Sequence, residues 1–459
     1  MGAETPPFRL LERLYADGPM RRIWSEDESV GSWLRVEAAL ARAQAAVGLL
    51  DAGDAEAVAA ACRDEVVDRE TLWQSGRVVG YPILGLVRQV AAALPDGPNG
   101  RVHFGATTQD IMDTALSLQL AAACDRLAEL AEQVGEGLAA LVQEHRTTVM
   151  AARTHGQQAV PTTFGAKMAV YLTQVTDAVE RIRRCRAEVA VVSLFGAGGT
   201  NAAMGPQSRQ VRAGLAAALQ LRTTDVPWHA ARQGVVAFGL ACSMVAGLCA
   251  RLAREVVDLS RNEIGEVTEQ SGHLRGASST MPQKSNPISS ESILGFALAA
   301  QVEGAGLLRA LESEHERSSG EWQLEWLLVP QVAEHAAAAL ALTADLSRTL
   351  VVRPERMAGN LRVDNALIMS EALMMRLARQ VGRERAHDLV YQAALDARSD
   401  GGDLPGAARR LLAAEGLDTR LEEAASPGDY LGEASSVCDA ALETWAATSS
   451  LTTGRGGQG

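Results

Sequence analysis

The feature that most constrains this fold is a succession of five long helix-period segments between residues 110 and 349. In the first, Leu116, Leu120, Leu127, Leu130, Val134, Leu138 and Leu141 recur at spacings that put them on one helical face. The others are predicted over about 163–192, 233–267, 287–312 and 322–349. The 233–267 segment is apolar all round in its first half, through Val236, Leu240, Met244 and Leu248. Such a helix must be buried by other helices. Five in a row, most of them long, predict an all-α bundle. Hydrophobic residues are 47% of the chain but aromatics only 4%, so the core is aliphatic, rich in alanine and suited to close helix packing.

The flanking regions read differently. Residues 1–108 mix short helical patterns with breakers: 33–50 is a clear helix, and Leu94-Pro95-Asp96-Gly97-Pro98-Asn99-Gly100 is a loop. Arg353-Pro354 opens a last region, 350–459, with helices near 366–379, 383–396 and 404–414 and a Gly-rich tail from Thr453 that is expected to be disordered. Three domains are therefore expected, 1–108, 109–349 and 350–459, a long central bundle between two smaller helical domains. No strand-turn-helix G-x-G-x-x-G unit is found, and Gly196-Ala197-Gly198-Gly199-Thr200 reads as a flexible turn. A net charge of −13 argues against a nucleic-acid partner. No signal peptide or membrane span is expected. Six scattered cysteines without a C-x-x-C pair read as reduced core thiols of a cytoplasmic protein, without a metal site.

Three polar segments interrupt this pattern. In Gly276-Ala277-Ser278-Ser279-Thr280-Met281-Pro282-Gln283-Lys284-Ser285-Asn286-Pro287, two prolines restrict the chain, and serine and asparagine are ordinary turn residues. The same residues suit chemistry beside a carboxylate, which needs a base and a cation for the charge building on the carboxylate oxygens. Lys284 supplies the cation and favours a deprotonated Ser278, and Asn286 offers an amide. In Arg153-Thr154-His155-Gly156-Gln157-Gln158-Ala159-Val160-Pro161, His155 by itself reads as a core or cap histidine, although the polar runs around it make it accessible. In His103-Phe104-Gly105-Ala106-Thr107-Thr108-Gln109-Asp110, Thr107 or Thr108 is a helix N-cap with Asp110 in the first turn. A helix N-terminus is also an anion site, and the two readings are compatible.

The first segment closely resembles the G-S-S-x-M-P-x-K-x-N-P signature of the fumarase/aspartase superfamily. The second resembles its T-H-x-Q-x-A-x-P segment, and Thr107, Thr108 and Gln109 match its S-S-N or T-S-Q positions. The resemblance runs from about Met20 to Leu361. Pro227-Trp228-His229 and Glu314-His315-Glu316-Arg317 through Trp326 are similar to bacterial 3-carboxy-cis,cis-muconate cycloisomerases. It implies a cofactor-free homotetrameric lyase acting on a small dicarboxylate, with sites shared between subunits. It also implies Ser278 as base and His155 at the leaving group or in its charge relay. Thr107, Thr108, Gln109, Thr154, Gln157, Ser279, Met281, Lys284, Asn286, Arg22 and Arg232 would bind substrate.

The departures from the pattern bear on the reaction. Cycloisomerases usually lack a histidine at His155 and carry Q-R-D where this chain has Ala231-Arg232-Gln233. Ser285 replaces the usual arginine, and Asn365-Ala366 stands in a region that is normally Gly-Gly. Adenylosuccinate lyase would have arginines for its nucleotide at Leu14 and Trp326, and an R-H-D segment upstream of Pro82. The expected reaction is elimination from a 2-substituted succinate to fumarate, with nitrosuccinate as a concrete substrate. The alternatives are cycloisomerisation of 3-carboxymuconate and an adenylosuccinate- or argininosuccinate-type C–N cleavage.

Overall fold

The computed structural model describes residues 8–97, 100–270, 275–281, 283–418 and 426–453. Pro98, Asn99, Pro282 and the tail from 454 onward, all named in the sequence reading, lie outside the described residues. The fold is all-α. Its long helices are Thr108–Glu144, Phe164–Val189, Gln233–Leu259, Ile288–Leu307 with a 3-10 extension over Leu308–Glu312, and Glu321–Thr349. The helices expected near 366–379, 383–396 and 404–414 are Ser370–Val381, Arg383–Ser399 and Leu404–Ala414. A further helix, Ala434–Thr453, was not anticipated.

The third long helix stops eight residues before its expected end at 267. Gly265 takes a left-handed backbone (φ +64°), and the Arg356 guanidinium donates to the carbonyls of Ile264 (2.9 Å) and Glu263 (3.1 Å). Val267–Thr268 then pairs with Val351–Val352. Bonds to a residue some 90 positions away thus end a helix that its apolar periodicity would have continued.

The chain divides into two compact units, each built from three stretches: Met1–Ala131, Ala178–Cys249 and Ser292–Ala341 in the first; Glu132–Asp177, Ala250–Glu291 and Leu342–Gly459 in the second. In the first unit, Val30, Leu40, Leu72, Leu86, Ile111 and Val211 are among the residues of one continuous buried cluster. The predicted close packing rests on small residues. A Cβ on Gly304 would collide with Ser243, whose hydroxyl instead donates to the Ala300 carbonyl at 2.9 Å. In the second unit, Leu377, Leu389, Ala393, Leu404 and Leu412 form a smaller core. There a Cβ on Gly135 would collide with the Trp445 ring.

By length and composition, helices Gln233–Leu259, Ile288–Glu312 and Glu321–Thr349 are apolar enough to cross a membrane, where the sequence reading expected none. Within the chain, 61%, 39% and 56% of their apolar windows are buried, and Met244, Leu298, Val302 and Leu327 are among the apolar residues left exposed on them.

Candidate active site

In the first unit the candidate residues gather at the start of helix Thr108–Glu144. Thr107 does not cap it in the expected way. Instead the Asp110 carboxylate reaches back and accepts from the Thr107 backbone N–H at 3.0 Å. It also accepts from the backbone N–H groups of Phe195 (2.8 Å) and Gly196 (2.9 Å), and its Oδ1 lies 2.9 Å from His229 Nε2. The Gly-rich turn is therefore pinned to the helix start by a wholly buried carboxylate rather than left free.

This frees the Thr107 hydroxyl to face Arg317. The guanidinium donates to Thr107 Oγ1 at 3.2 Å and to Gln109 Oε1 at 2.8 Å, and the Gln109 amide donates to the His229 carbonyl at 2.9 Å. A cation, a hydroxyl and a helix N-terminus thus converge, which is the physical make-up of a carboxylate site. Arg317 was not among the residues expected to bind substrate. The available signal was its place in Glu314-His315-Glu316-Arg317, the polar stretch before a buried helix. Beside this site, His103 Nδ1 lies 2.6 Å from Glu37 Oε1. Burial disfavours the charged ring, but the Glu37 carboxylate outweighs it and holds the imidazole above its ordinary pKa.

Arg232, expected on the substrate, is held otherwise. Its side chain is 1% exposed and makes paired bonds to Asp113 (2.8 and 3.1 Å) and to Glu325 (2.8 and 2.5 Å), with its guanidinium over the Trp228 ring. Both edges of the fork are used by carboxylates of the chain itself. Burial pushes the Glu325 carboxyl above its usual range, and Arg232 opposes that shift. Arg22 is exposed at the end of helix Gly18–Ile23.

In the second unit, His155 stands at the tip of a β-hairpin that the sequence reading did not foresee. Strands Val149–Thr154 and Gln157–Thr163 close on the pair Thr154–Gln157 and leave His155-Gly156 as a two-residue loop. Both loop residues have positive φ (53° and 76°), as a type I′ hairpin requires. The turn thrusts the imidazole into solvent, and Thr154 and Gln157 are exposed beside it. The foot of the hairpin is rigid. Arg153 makes a bidentate pair with buried Glu266 (2.7 and 2.8 Å), and Asn360 Nδ2 donates to the same carboxylate at 2.7 Å.

The Ser278 loop is pinched at its base. Asn286 N–H donates to the Gly276 carbonyl at 2.9 Å, and Ala277 bridges to Ser285. Gly276 has φ +67°, and a Cβ there would meet the Asn286 carbonyl oxygen at 2.5 Å, so only glycine fits. Within the loop, Ser278 Oγ accepts from the backbone N–H groups of Met281 (3.1 Å) and Thr280 (3.3 Å). Two donors on one hydroxyl oxygen favour its deprotonated form. Ser279, Met281 and Lys284 are exposed and Asn286 is half-buried. Downstream, Glu269 accepts from the N–H groups of Ser289 and Ser290 and anchors the start of helix Ile288–Leu307. The Thr107 segment thus belongs to one compact unit, and the His155 and Ser278 segments to the other.

Comparison with known proteins shows the family to which the chain belongs. Residues 15–304 match a family described as lyase, and residues 366–441 match the adenylosuccinate lyase C-terminus. The chain is 37% identical over 447 residues to a 3-carboxy-cis,cis-muconate cycloisomerase of Pseudomonas aeruginosa, covering 96% of this chain and 97% of that one. It is 36% identical to trans-aconitate decarboxylase 1 of Mycosarcoma maydis over 94% of this chain and 88% of the relative. Among solved structures it resembles a fumarate lyase from Mesorhizobium sp. BNC1, with a TM-score of 0.87 and 35% identity over 95% of this chain and 100% of that one.

Proposed function

This chain belongs to the lyase family within the fumarase/aspartase superfamily, and from that premise we propose that it eliminates the substituent of a 2-substituted succinate to leave fumarate. The observation that carries this reading is the Ser278 hydroxyl, held by two backbone N–H donors in a pinched, exposed loop that also carries Lys284. Ser278, as alkoxide, takes the C3 proton. The electron pair moves into the adjoining carboxylate as an aci-carboxylate, stabilised by Lys284, Asn286 and the Arg317–Thr107 cluster. That pair then forms the C2–C3 double bond while the C2 substituent leaves with its bonding electrons, and Ser278 later returns its proton to solvent. The carboxylate is itself the electron sink, so the proposed steps call on no cofactor.

Within this class we propose nitrosuccinate, which yields fumarate and nitrite. Leu14 and Trp326 stand where a nucleotide-binding relative would have arginines, which favours a small leaving group. The test is to add nitrite, ammonia, hydrazine and amines to fumarate and follow its ultraviolet absorbance, with 3-carboxymuconate assayed alongside. A second reading, cycloisomerisation, is favoured by the 37% identity to the Pseudomonas enzyme. Fast turnover of carboxymuconate without elimination from any 2-substituted succinate would establish it instead.

Nitrite is weakly basic and needs little proton donation as it leaves. His155→Asn is therefore expected to raise KM more than it lowers kcat. A loss confined to kcat would make His155 the general acid for a basic leaving group.

The Thr107, His155 and Ser278 segments are proposed to meet from three subunits of a homotetramer. The uncovered faces of the long helices support this, since Met244, Leu298, Val302 and Leu327 are 55%, 51%, 74% and 63% exposed. Light scattering at micromolar concentration should give four chains per particle. A monomer would remove both the tetramer and the shared site.

A further inference from the structure

Helix Leu10–Tyr15 is six residues long, and its one buried residue is charged, Glu12. Leu10 and Leu14 are 61% and 59% exposed, and Leu11 is half-buried against Gly295. So short a helix is held by its tertiary contacts, and little apolar burial is available to it. What its carboxylate meets therefore decides whether it stays docked. The imidazole of His335, on helix Glu321–Thr349, stands between two carboxylates. Its Nδ1 lies 2.9 Å from Glu303 of helix Ile288–Leu307, and its Nε2 lies 3.5 Å from Glu12. The side chains of Glu12, Glu303 and His335 are 10%, 12% and 13% exposed, so water screens their charges weakly. The Phe296 ring packs against the imidazole at 5.7 Å. Arg9 (3.0 Å) and Arg21 (3.8 Å) also reach Glu12. Glu334 precedes His335 on its own helix; burial holds its carboxyl above the usual range, and Arg21 pulls it back. Helix Gln233–Leu259 brings the Cys242 thiol near Glu303, and burial pushes that thiol well up, so it stays neutral.

We propose that His335 is a proton-dependent latch that fastens helix Leu10–Tyr15 to the helices carrying His335 and Glu303. An imidazolium donates from both ring nitrogens, one N–H to each carboxylate, whereas a neutral imidazole has a single N–H. The shorter contact, to Glu303, keeps it, and Nε2 then turns a lone pair towards Glu12. Loss of one proton thus replaces an attraction at Glu12 by a repulsion. Arg9 cannot hold the helix instead, because it immediately precedes that helix and moves with it. Arg21 is 3.8 Å from Glu12 and its side chain is half-exposed. Burial disfavours the charged His335 ring, but Glu303 and Glu12 outweigh it and hold the imidazole above its ordinary pKa. The stabilisation from such a histidine is complete below the unfolded pKa and is lost as pH rises through the folded value. The latch is therefore closed at low pH and opens at high pH.

The test is hydrogen–deuterium exchange of the full chain without substrate, read on residues 10–16 and corrected for the intrinsic pH dependence of amide exchange. Between about pH 6 and about pH 9, a range that spans a raised histidine, protection of this stretch should fall. The fall should be at least about 10-fold, the size of one charge-assisted hydrogen bond, while helix Glu321–Thr349 keeps its protection. Glu12→Gln should remove the pH step, because an amide can donate to or accept from Nε2 in either protonation state. His335→Gln should likewise leave residues 10–16 exchanging at one corrected rate across the range. Glu12→Gln decides the matter by itself if His335→Gln does not fold. Protection that is constant with pH in the wild type would overturn the latch. So would a step that persists in Glu12→Gln, which would assign the titration to another group such as Glu334. An equal loss of protection over helix Glu321–Thr349 would also overturn it, since the whole unit would then be opening.

Discussion

Ser278→Ala is expected to lower kcat by at least about 10²-fold, the low end for removal of a general base. The change should leave folding almost untouched. Ser278 lies in an exposed loop, where its hydroxyl accepts from the N–H groups of Thr280 and Met281 and lies 3.5 Å from the Thr280 hydroxyl, contacts that water can replace once the oxygen is gone. Steady-state kinetics paired with a denaturant midpoint would separate the two effects. Lys284→Ala should lose a comparable factor, because it removes the charge that stabilises both the alkoxide and the aci-carboxylate. The double variant should lose little more than either single one, since both act on the same step. Turnover near wild type in Ser278→Ala would assign the base to another residue.

The second large effect concerns stability. Arg232→Leu is expected to cost about 3–5 kcal/mol at neutral pH, because it leaves Asp113 and Glu325 as uncompensated charges in the core. The sign with pH follows from Glu325, whose folded-state carboxyl is raised by burial against the opposing pull of Arg232. A raised carboxyl contributes stability that is fully present below its unfolded pKa and is lost as pH rises through the folded value. Removing Arg232 deletes the opposing pull and raises Glu325 further. The deficit of the variant should therefore shrink as pH falls towards the carboxyl range and be widest at neutral pH. Replacing Asp113, Arg232 and Glu325 together with apolar residues of similar volume should recover much of the loss. Denaturant midpoints across pH would measure this. A variant as stable as wild type but with a raised KM would return Arg232 to the substrate.

Much of the architecture was legible locally. Leu116 to Leu141 recur with the helical period, and that spacing alone indicates a buried helix face. The starts of the long helices fall within a residue or two of their expected positions, and the end of Glu321–Thr349 matches its expected boundary. The chemistry-bearing segments were legible for a related reason. Serine, lysine and asparagine crowded between prolines make a loop that a helical scaffold would otherwise avoid, and their order matches a family signature.

Other features depended on partners far away in sequence. Arg232 is separated from Asp113 by 119 residues and from Glu325 by 93, so no local spacing could say that its charge was already matched. Arg317 reaches Thr107 across 210 residues, and only that contact makes a cation part of the helix N-terminal site. His155 reads as a cap or core residue until the hairpin closes around it. A short strand is stabilised by the strand opposite rather than by its own propensity, so the turn that exposes the imidazole exists only in the folded pair. Helix periodicity and motif content are properties of neighbouring residues and survive in the sequence. Charge pairing, strand pairing and the placing of the His335 imidazole between two carboxylates are properties of the packed chain, and only the tertiary structure decided them.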